Sequence, residues 1–356
     1  MIRGISVATF FLVLQFGLLI FVFPKSIIQS QPSGHWFVII IGWLVQGLML
    51  RLFIGGFRAD KTNLLTNLQQ SGTWFRLGLV WPFIFSNIIA IGIMIRGHAQ
   101  ILSILYLPQT PLWVLLVLLI ATALSISYAE RDSLLRLSLV IGSFGLPLLS
   151  LTLISAIEYA NLDMIFPIKP TLEFMGEPRI LPAFSIFVNV FGLIGFFGPY
   201  AESEKRWLWG AWVVSLFLFL LNVYLPISAF GQEVADNFRF PMIVLLDTVR
   251  VNWFFFDRMS MFYIMATMFS TLINISGLLW VTRQLALHSS FVPRLITNPV
   301  IVGTVAIIFA YFVPSLEDLE RLLLSGGPLR LCLLFILSLV SFYYRNRAKI
   351  GGKPRV

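Results

Sequence analysis

Residues 187–202 read FVNVFGLIGFFGPYAE. The run is apolar enough for a membrane helix, yet Gly192, Gly195 and Gly198 recur every third residue. Pro199 follows at once. Glycine weakens a helix and a Gly-Pro step disfavours its continuation. Lipid cannot satisfy freed backbone groups, so a broken helix persists in a bilayer only where it is buried in protein or lines a cavity. The same stripe of small residues also suits close packing of one helix on another. The choice between these readings depends on the rest of the chain.

Outward from this stretch, apolar runs dominate. The chain has 356 residues, 58% of them hydrophobic and only 12% charged, and its mean hydropathy is +0.90. That charged share is about half the ~25% usual in soluble domains. Crossing the hydrocarbon core takes roughly 20 apolar residues per helix. Runs of that kind lie near 5–23, 35–54, 77–96, 111–129, 134–157, 183–201, 207–228, 259–282, 296–314 and 327–344. The sequence therefore predicts an all-α integral membrane protein, one polytopic domain over residues 1–356 with about ten spans. The 10 Trp and 34 Phe read as lipid-facing and interfacial side chains.

The net charge of +9 sits in short loops between apolar runs, the pattern of the positive-inside rule and not of a nucleic-acid surface. With the N-terminus cytoplasmic, that side carries 16 of the 25 Lys and Arg; the other side carries 11 of the 16 Asp and Glu. Both termini are expected in the cytoplasm, and the basic tail RNRAKIGGKPRV reads as an anchor against anionic membrane lipid. Arg3 and the long apolar run after it read as a first span and not a signal peptide. A lone Cys332 permits no internal disulfide. His35, His98 and His288 lack metal-ligand spacing. No nucleotide loop, metal motif or hydrolase elbow is found, so neither a cofactor nor enzymatic activity is expected.

Ten spans divide into five plus five, and span six then corresponds to span one. Span one has Gln15 and Gly17 in its middle and Pro24 near its outer end. Broken helices at corresponding positions of two halves point to a substrate site at mid-membrane. Unwound backbone offers N–H groups to a carboxylate and C=O groups to an ammonium, which suits a zwitterionic amino acid. Charged residues Arg96, Arg136, Glu158, Glu202 and Arg330 fall near predicted span ends, so the pocket is expected to hold no ionised side chain. Span eight carries Thr267, Ser270, Thr271, Asn274 and Ser276; their work is either interhelical hydrogen bonding or, for Ser270 and Asn274 one turn apart, facing a shared cavity. The candidate ligand-binding residues are Gln15, Gly17, Asn189, Gly192, Gly195, Ser270 and Asn274.

Two connections have helical patterning. In the outer loop 229–258, Ile243, Leu246, Val249 and Trp253 share one face, and Asp247 and Arg250 sit three apart for pairing. In 58–75, Leu64, Leu65 and Leu68 follow the candidate caps Asp60 and Thr62.

Several strings carry a family resemblance. FVFPKSIIQSQPSGHWFVIIIGWL (21–44), LPQTPLWVLLVLL (107–119) and EYANLDMIFPIKP (158–170) stand in order along the chain, followed by FGQE (230–233), FP (240–241) and DR (257–258). Together they resemble the B subunits of bacterial spore germinant receptors, from about residue 5 to 345. Ser260 departs from that pattern, since many such proteins have an acidic residue there. The resemblance implies the fold of the amino acid–polyamine–organocation superfamily, two inverted five-helix repeats, and a place in the spore inner membrane. It also implies a subunit that binds a small-molecule germinant, often an amino acid, and works with a membrane-embedded A subunit and a lipoprotein C subunit. A secondary amino-acid transporter on the same fold is the alternative, because fold alone does not fix function.

Overall fold

A computed structural model describes residues 2–19, 23–56, 73–177, 180–197, 200, 203–250, 258–289 and 291–350. Its helices are α1 (Ile2–Leu19), α2 (Phe23–Ile28), α3 (His35–Gly56), α4 (Thr73–Leu105), α5 (Leu112–Ser127), α6 (Arg131–Ile157) and α7 (Ile180–Val188). There follow α8 (Phe191–Ile194), α9 (Lys205–Phe230), α10 (Gln232–Asn237), α11 (Pro241–Thr248), α12 (Met259–Leu287), α13 (Pro299–Phe312) and α14 (Leu316–Ile350). Among the described residues there is no strand. Among the described residues six helices, α3, α4, α6, α9, α12 and α14, are long and apolar enough to cross a membrane; shorter apolar helices lie at 3–17, 112–127, 183–197 and 299–312.

The packing repeats along the chain. Span one (α1) packs on spans five (α6) and seven (α9); five spans on, α7 packs on spans ten (α14) and two (α3). Span three (α4) packs on spans nine (α13) and ten (α14), and span eight (α12) packs on spans four (α5) and five (α6). Advancing every span by five maps one set of contacts onto the other, so the halves are structural repeats. Five crossings is an odd number, so the second repeat enters from the opposite side and is inverted.

Some boundaries differ from the sequence expectation. In span one, α1 runs unbroken through Gln15 and Gly17, and Pro24 is helical in α2; residues 20–22 lie outside the described residues. α4 continues to Leu105, well past 96, and keeps Arg96 and His98 inside the helix and buried. α14 starts at Leu316 and not near 327. Ser315 explains that start: its Oγ accepts from the Asp318 N–H at 3.1 Å and donates to the Asp318 carboxylate at 2.7 Å, a side-chain cap of the kind that opens helices.

Phenylalanine also departs from the lipid-facing expectation. Phe10, Phe11, Phe23, Phe53, Phe83, Phe187, Phe191, Phe196 and Phe219 are among the largest fully buried side chains. A bilayer is as apolar as the interior, so hydrophobicity does not sort these side chains inward or outward.

The connections after α2 and after α6 are tied together through backbone groups. Gly34 has φ +70°, and a Cβ there would stand 2.3 Å from the Lys169 carbonyl oxygen, so only glycine fits. Ser33 Oγ donates to that same carbonyl at 3.1 Å, and Trp36 Nε1 donates to the Ile168 carbonyl at 3.2 Å. In the loop between spans seven and eight, α11 buries Ile243 and Leu246 as its periodicity predicts. Trp253 and the whole of 57–72, with its expected caps and leucines, lie outside the described residues.

Candidate functional site

Span six is interrupted ahead of Gly192, and it changes character again at Gly195. α7 ends at Val188, Asn189 and Val190 form a turn, and α8 is followed by a 3₁₀ turn over Gly195–Phe197. Gly198 and Pro199 lie outside the described residues. Interrupted backbone inside a bundle needs outside partners, and α3 supplies one. Gln46 Nε2 donates to the Phe187 carbonyl at 2.5 Å, while Gln46 Oε1 accepts from Ser215 Oγ at 3.3 Å. Gly195 is buried at the C-terminal cap of α8, with its N–H on the Leu193 and Phe191 carbonyls.

The second brace comes from Arg330 of α14. Its Nε donates to Asn189 Oδ1 in a short hydrogen bond. Its Nη1 donates to the Ser86 carbonyl at 3.2 Å and to Asn87 Oδ1 at 3.3 Å, both on α4. The residue is 7% exposed, and Nη2 has no acceptor among the described residues. Gly192 makes room for it, since a Cβ there would sit 3.3 Å from Nη2. The ion pairs found among the described residues are Lys25–Glu320, Arg239–Glu320, Arg321–Glu317 and Arg321–Asp318, and none involves Arg330. An uncompensated buried charge costs several kcal/mol, so its retention marks function more readily than stability.

This overturns the expectation of an interior free of charge. Starting α14 at Leu316 puts Arg330 well inside the helix, level with the break in span six and the middle of α4. The signal that finds it is the Ser315–Asp318 cap, which sets the helix start upstream of the Gly326-Gly327-Pro328 step.

Beside the break, α4, α7 and α14 border a cavity of about 90 Å³. Arg330, Asn189, Ser86 and Ser185 form its polar end, and the other lining residues are apolar or glycine.

The remaining candidates gather elsewhere, where α1 meets α12. A Cβ on Gly17 would lie 2.8 Å from Thr271 Oγ1 and 3.0 Å from Asn274 Nδ2, so the helices touch at this glycine. Asn274 Nδ2 donates to the Leu14 carbonyl at 3.1 Å and to the Ser270 carbonyl at 3.2 Å. Ser270 Oγ donates to the Ala266 carbonyl at 3.1 Å on its own helix. Thr271 Oγ1 lies 3.3 Å from the Gly17 carbonyl oxygen and 3.2 Å from His98 Nε2. With Nδ1–H of His98 donating to the Met94 carbonyl, Nε2 of a neutral ring is an acceptor, so one hydroxyl proton serves two acceptors. Ser270 and Asn274 thus seal an interface, and neither lines the cavity at the break. Gln15 is the exception. It is 1% exposed, and neither its Nε2 nor its Oε1 has a partner among the described residues.

Seven candidates therefore divide into two groups. Asn189 and Gly192 touch Arg330, with Gly195 following on the same span; Gly17, Ser270 and Asn274 lie at the α1–α12 contact, with Gln15 buried close by in sequence on α1.

Residues 2–317 match the profile of the family described as spore germination protein. The chain belongs to that family. It is 25% identical over 322 residues to "Putative spore germination protein YfkT" of Bacillus subtilis (strain 168), covering 84% of each chain. The fold is also that of a Na+-coupled sialic acid symporter in a substrate-bound outward-open state. The TM-score is 0.60 at 12% identity, over 96% of this chain and 78% of the symporter. A transporter-like fold of inverted repeats, in an integral membrane protein of the spore germination family, is thus established.

Within that family pattern, Ser260 finds its acid in space. Its Oγ donates to Asp247 Oδ1 of α11 at 2.5 Å and lies 2.8 Å from the Tyr106 hydroxyl. The Asp247 carboxylate is therefore engaged with Ser260 at the start of α12, one link between α11 and span eight.

Proposed function

We propose that the protein is the germinant-sensing subunit of a spore nutrient receptor. A small nutrient binds at mid-bundle beside the break in span six, and the bound conformation is read by partner subunits. The observation that carries this reading is the buried Arg330 guanidinium, braced on Asn189 and left with one unpaired arm. A ligand that binds one arrangement of the break better than another shifts the equilibrium by that difference in affinity. Membership of the spore germination family supports the physiological setting. On this reading the protein resides in the inner membrane of the dormant spore with both termini on the core side. Its partners are a membrane-embedded A subunit and a lipoprotein C subunit.

The symporter-like fold favours a second reading, coupled uptake of a small solute. Deleting the gene and scoring germination on single nutrients separates the two. Loss of the response to one nutrient supports the receptor; an unchanged response together with solute uptake by the purified protein in liposomes supports the transporter.

A further inference from the structure

The cavity at the break is built for one sign of charge. Arg330, Asn189, Ser86 and Ser185 form its polar end, and no carboxylate lines it. The guanidinium is charged throughout the physiological pH range and donates from a rigid fork. Nε and Nη1 are engaged, whereas Nη2 is buried without an acceptor among the described residues. A carboxylate in the cavity supplies the negative charge the site lacks, and an acceptor for Nη2 once that arm turns from Gly192 toward it.

We propose that this cavity binds a compact monocarboxylate, with the carboxylate on Arg330 and the hydrocarbon body against Ile93, Met94, Leu322 and Leu323. Size limits the occupant. The volume of about 90 Å³ is several times the ~10–15 Å³ that seats one water-sized centre. That is room for an acid of a few carbons and too little for a partner's helix. The rim residues Phe85 and Leu329 are 61% and 51% exposed at mid-helix positions, so the cavity opens through the side of the bundle. An ammonium on the ligand would find no acidic partner here and would face a like charge. The carboxylate is therefore the group recognised, and an α-amino group is not required. The physiological meaning of the site rests on the receptor reading above; its chemistry does not.

The test is calorimetry on the full-length protein in lipid nanodiscs, in chloride-free buffer, with 3-methylbutanoate, valine and 3-methylbutanamide as probes. Saturable binding of 3-methylbutanoate is expected, with valine no tighter and the amide at least tenfold weaker. Arg330→Gln loses at least tenfold for the acid, and Arg330→Lys falls between, because a point charge keeps the attraction without the fork. Arg330→Gln also removes bonds that brace the break, so Ala90→Phe serves as the independent variant. It fills the apolar side of the cavity, leaves every polar group in place, and is expected to weaken 3-methylbutanoate at least tenfold while sparing acetate. Equal binding of acid and amide, acid binding untouched by both Arg330→Gln and Ala90→Phe, or no saturable acid binding by the wild type overturns the proposal. Failure of the receptor reading looks different: acid-selective binding would persist while a deletion strain germinated normally on every nutrient.

Discussion

Arg330 donates through Nε to the side-chain oxygen of Asn189, so span ten holds the break in span six directly. The same guanidinium reaches Ser86 and Asn87 on α4. One side chain thus joins three helices that a conformational change would have to move relative to one another.

Coupling between these residues follows. Asn189→Ala removes a hydrogen bond to a charged group and is expected to cost about 1.5–3 kcal/mol. Arg330→Gln removes the same bond and more, so the double variant should fall short of the sum by about 0.5–3 kcal/mol. Thermal unfolding of the four proteins in one detergent measures the cycle. Additive losses would mean that the two residues act independently.

Glycine positions give a matched contrast. Gly17→Val pushes a branched side chain into Thr271 Oγ1 and Asn274 Nδ2, which already lie 2.8 and 3.0 Å from a bare Cβ. Overpacking of this kind costs about 1–3 kcal/mol. Gly210, inside α9, has nothing within 4 Å of its Cβ position, so Gly210→Ala should be neutral or stabilise by about 0.5–1 kcal/mol through helix propensity. The melting temperatures should move in opposite directions. A Gly17 variant as stable as the wild type would show that α1 and α12 are not in contact there.

Spans two and seven are joined by a reciprocal pair. Trp43 and Trp212 stack with ring centroids 3.6 Å apart and planes 6° from parallel. Trp43 Nε1 donates to the Trp212 carbonyl at 2.8 Å, and Trp212 Nε1 donates to the Trp43 carbonyl at 3.1 Å. Trp212→Leu loses the stacking, about 0.5–1.5 kcal/mol, and a hydrogen bond of similar size. The expected drop is about 1–3 kcal/mol, read as a lower melting temperature, and Trp43→Leu should lose a similar amount. A large loss in one variant alone would mean that the pair is not the shared unit.

How far the sequence reveals this architecture depends on what each residue contrasts with. The spans are legible because charged loops interrupt runs long enough to cross a bilayer. A break in span six is legible in Gly192 and Gly195, but its position at Asn189 is not, because a turn held by Gln46 and Arg330 is decided by other helices. Arg330 itself is hidden. After Gly326-Gly327-Pro328 it reads as a residue at the start of a span, and only the cap at Ser315 shows the helix to be under way before it. Gly17 stands out correctly as a small residue, yet it serves close contact with α12 and not unwinding. The buried phenylalanines are illegible in principle, since lipid and protein interior attract them alike.

Glu320 of α14 receives Arg239 at 2.9 Å and Lys25 of α2 at 3.8 Å. All three side chains are partly exposed, so each pair contributes only about 0.2–1 kcal/mol and weakens with salt. Even so, the pairs tie α2 and the loop between spans seven and eight to α14. Labelling of Ser26→Cys in a Cys332→Ala background reports on this clamp, because Ser26 is buried beneath it at 3% exposure. Glu320→Gln should speed the labelling severalfold at low salt, with the difference shrinking as ionic strength rises. A salt-independent difference would point to packing and away from the ion pairs.

Gln15 sets stability against function. The residue is 1% exposed, four positions before α1 ends at Leu19, and both polar atoms of its amide lack partners among the described residues. A buried amide left unsatisfied costs about 1–3 kcal/mol. Gln15→Leu keeps similar bulk and removes that cost, so the ligand-free protein should melt at a higher temperature. If the amide is kept to meet a ligand when the bundle rearranges, the same variant should blunt the nutrient response of spores carrying it. A higher melting temperature with a weaker response fits a residue held in reserve for binding. A lower melting temperature with an unchanged response would instead mean that Gln15 is satisfied within the fold and serves only packing.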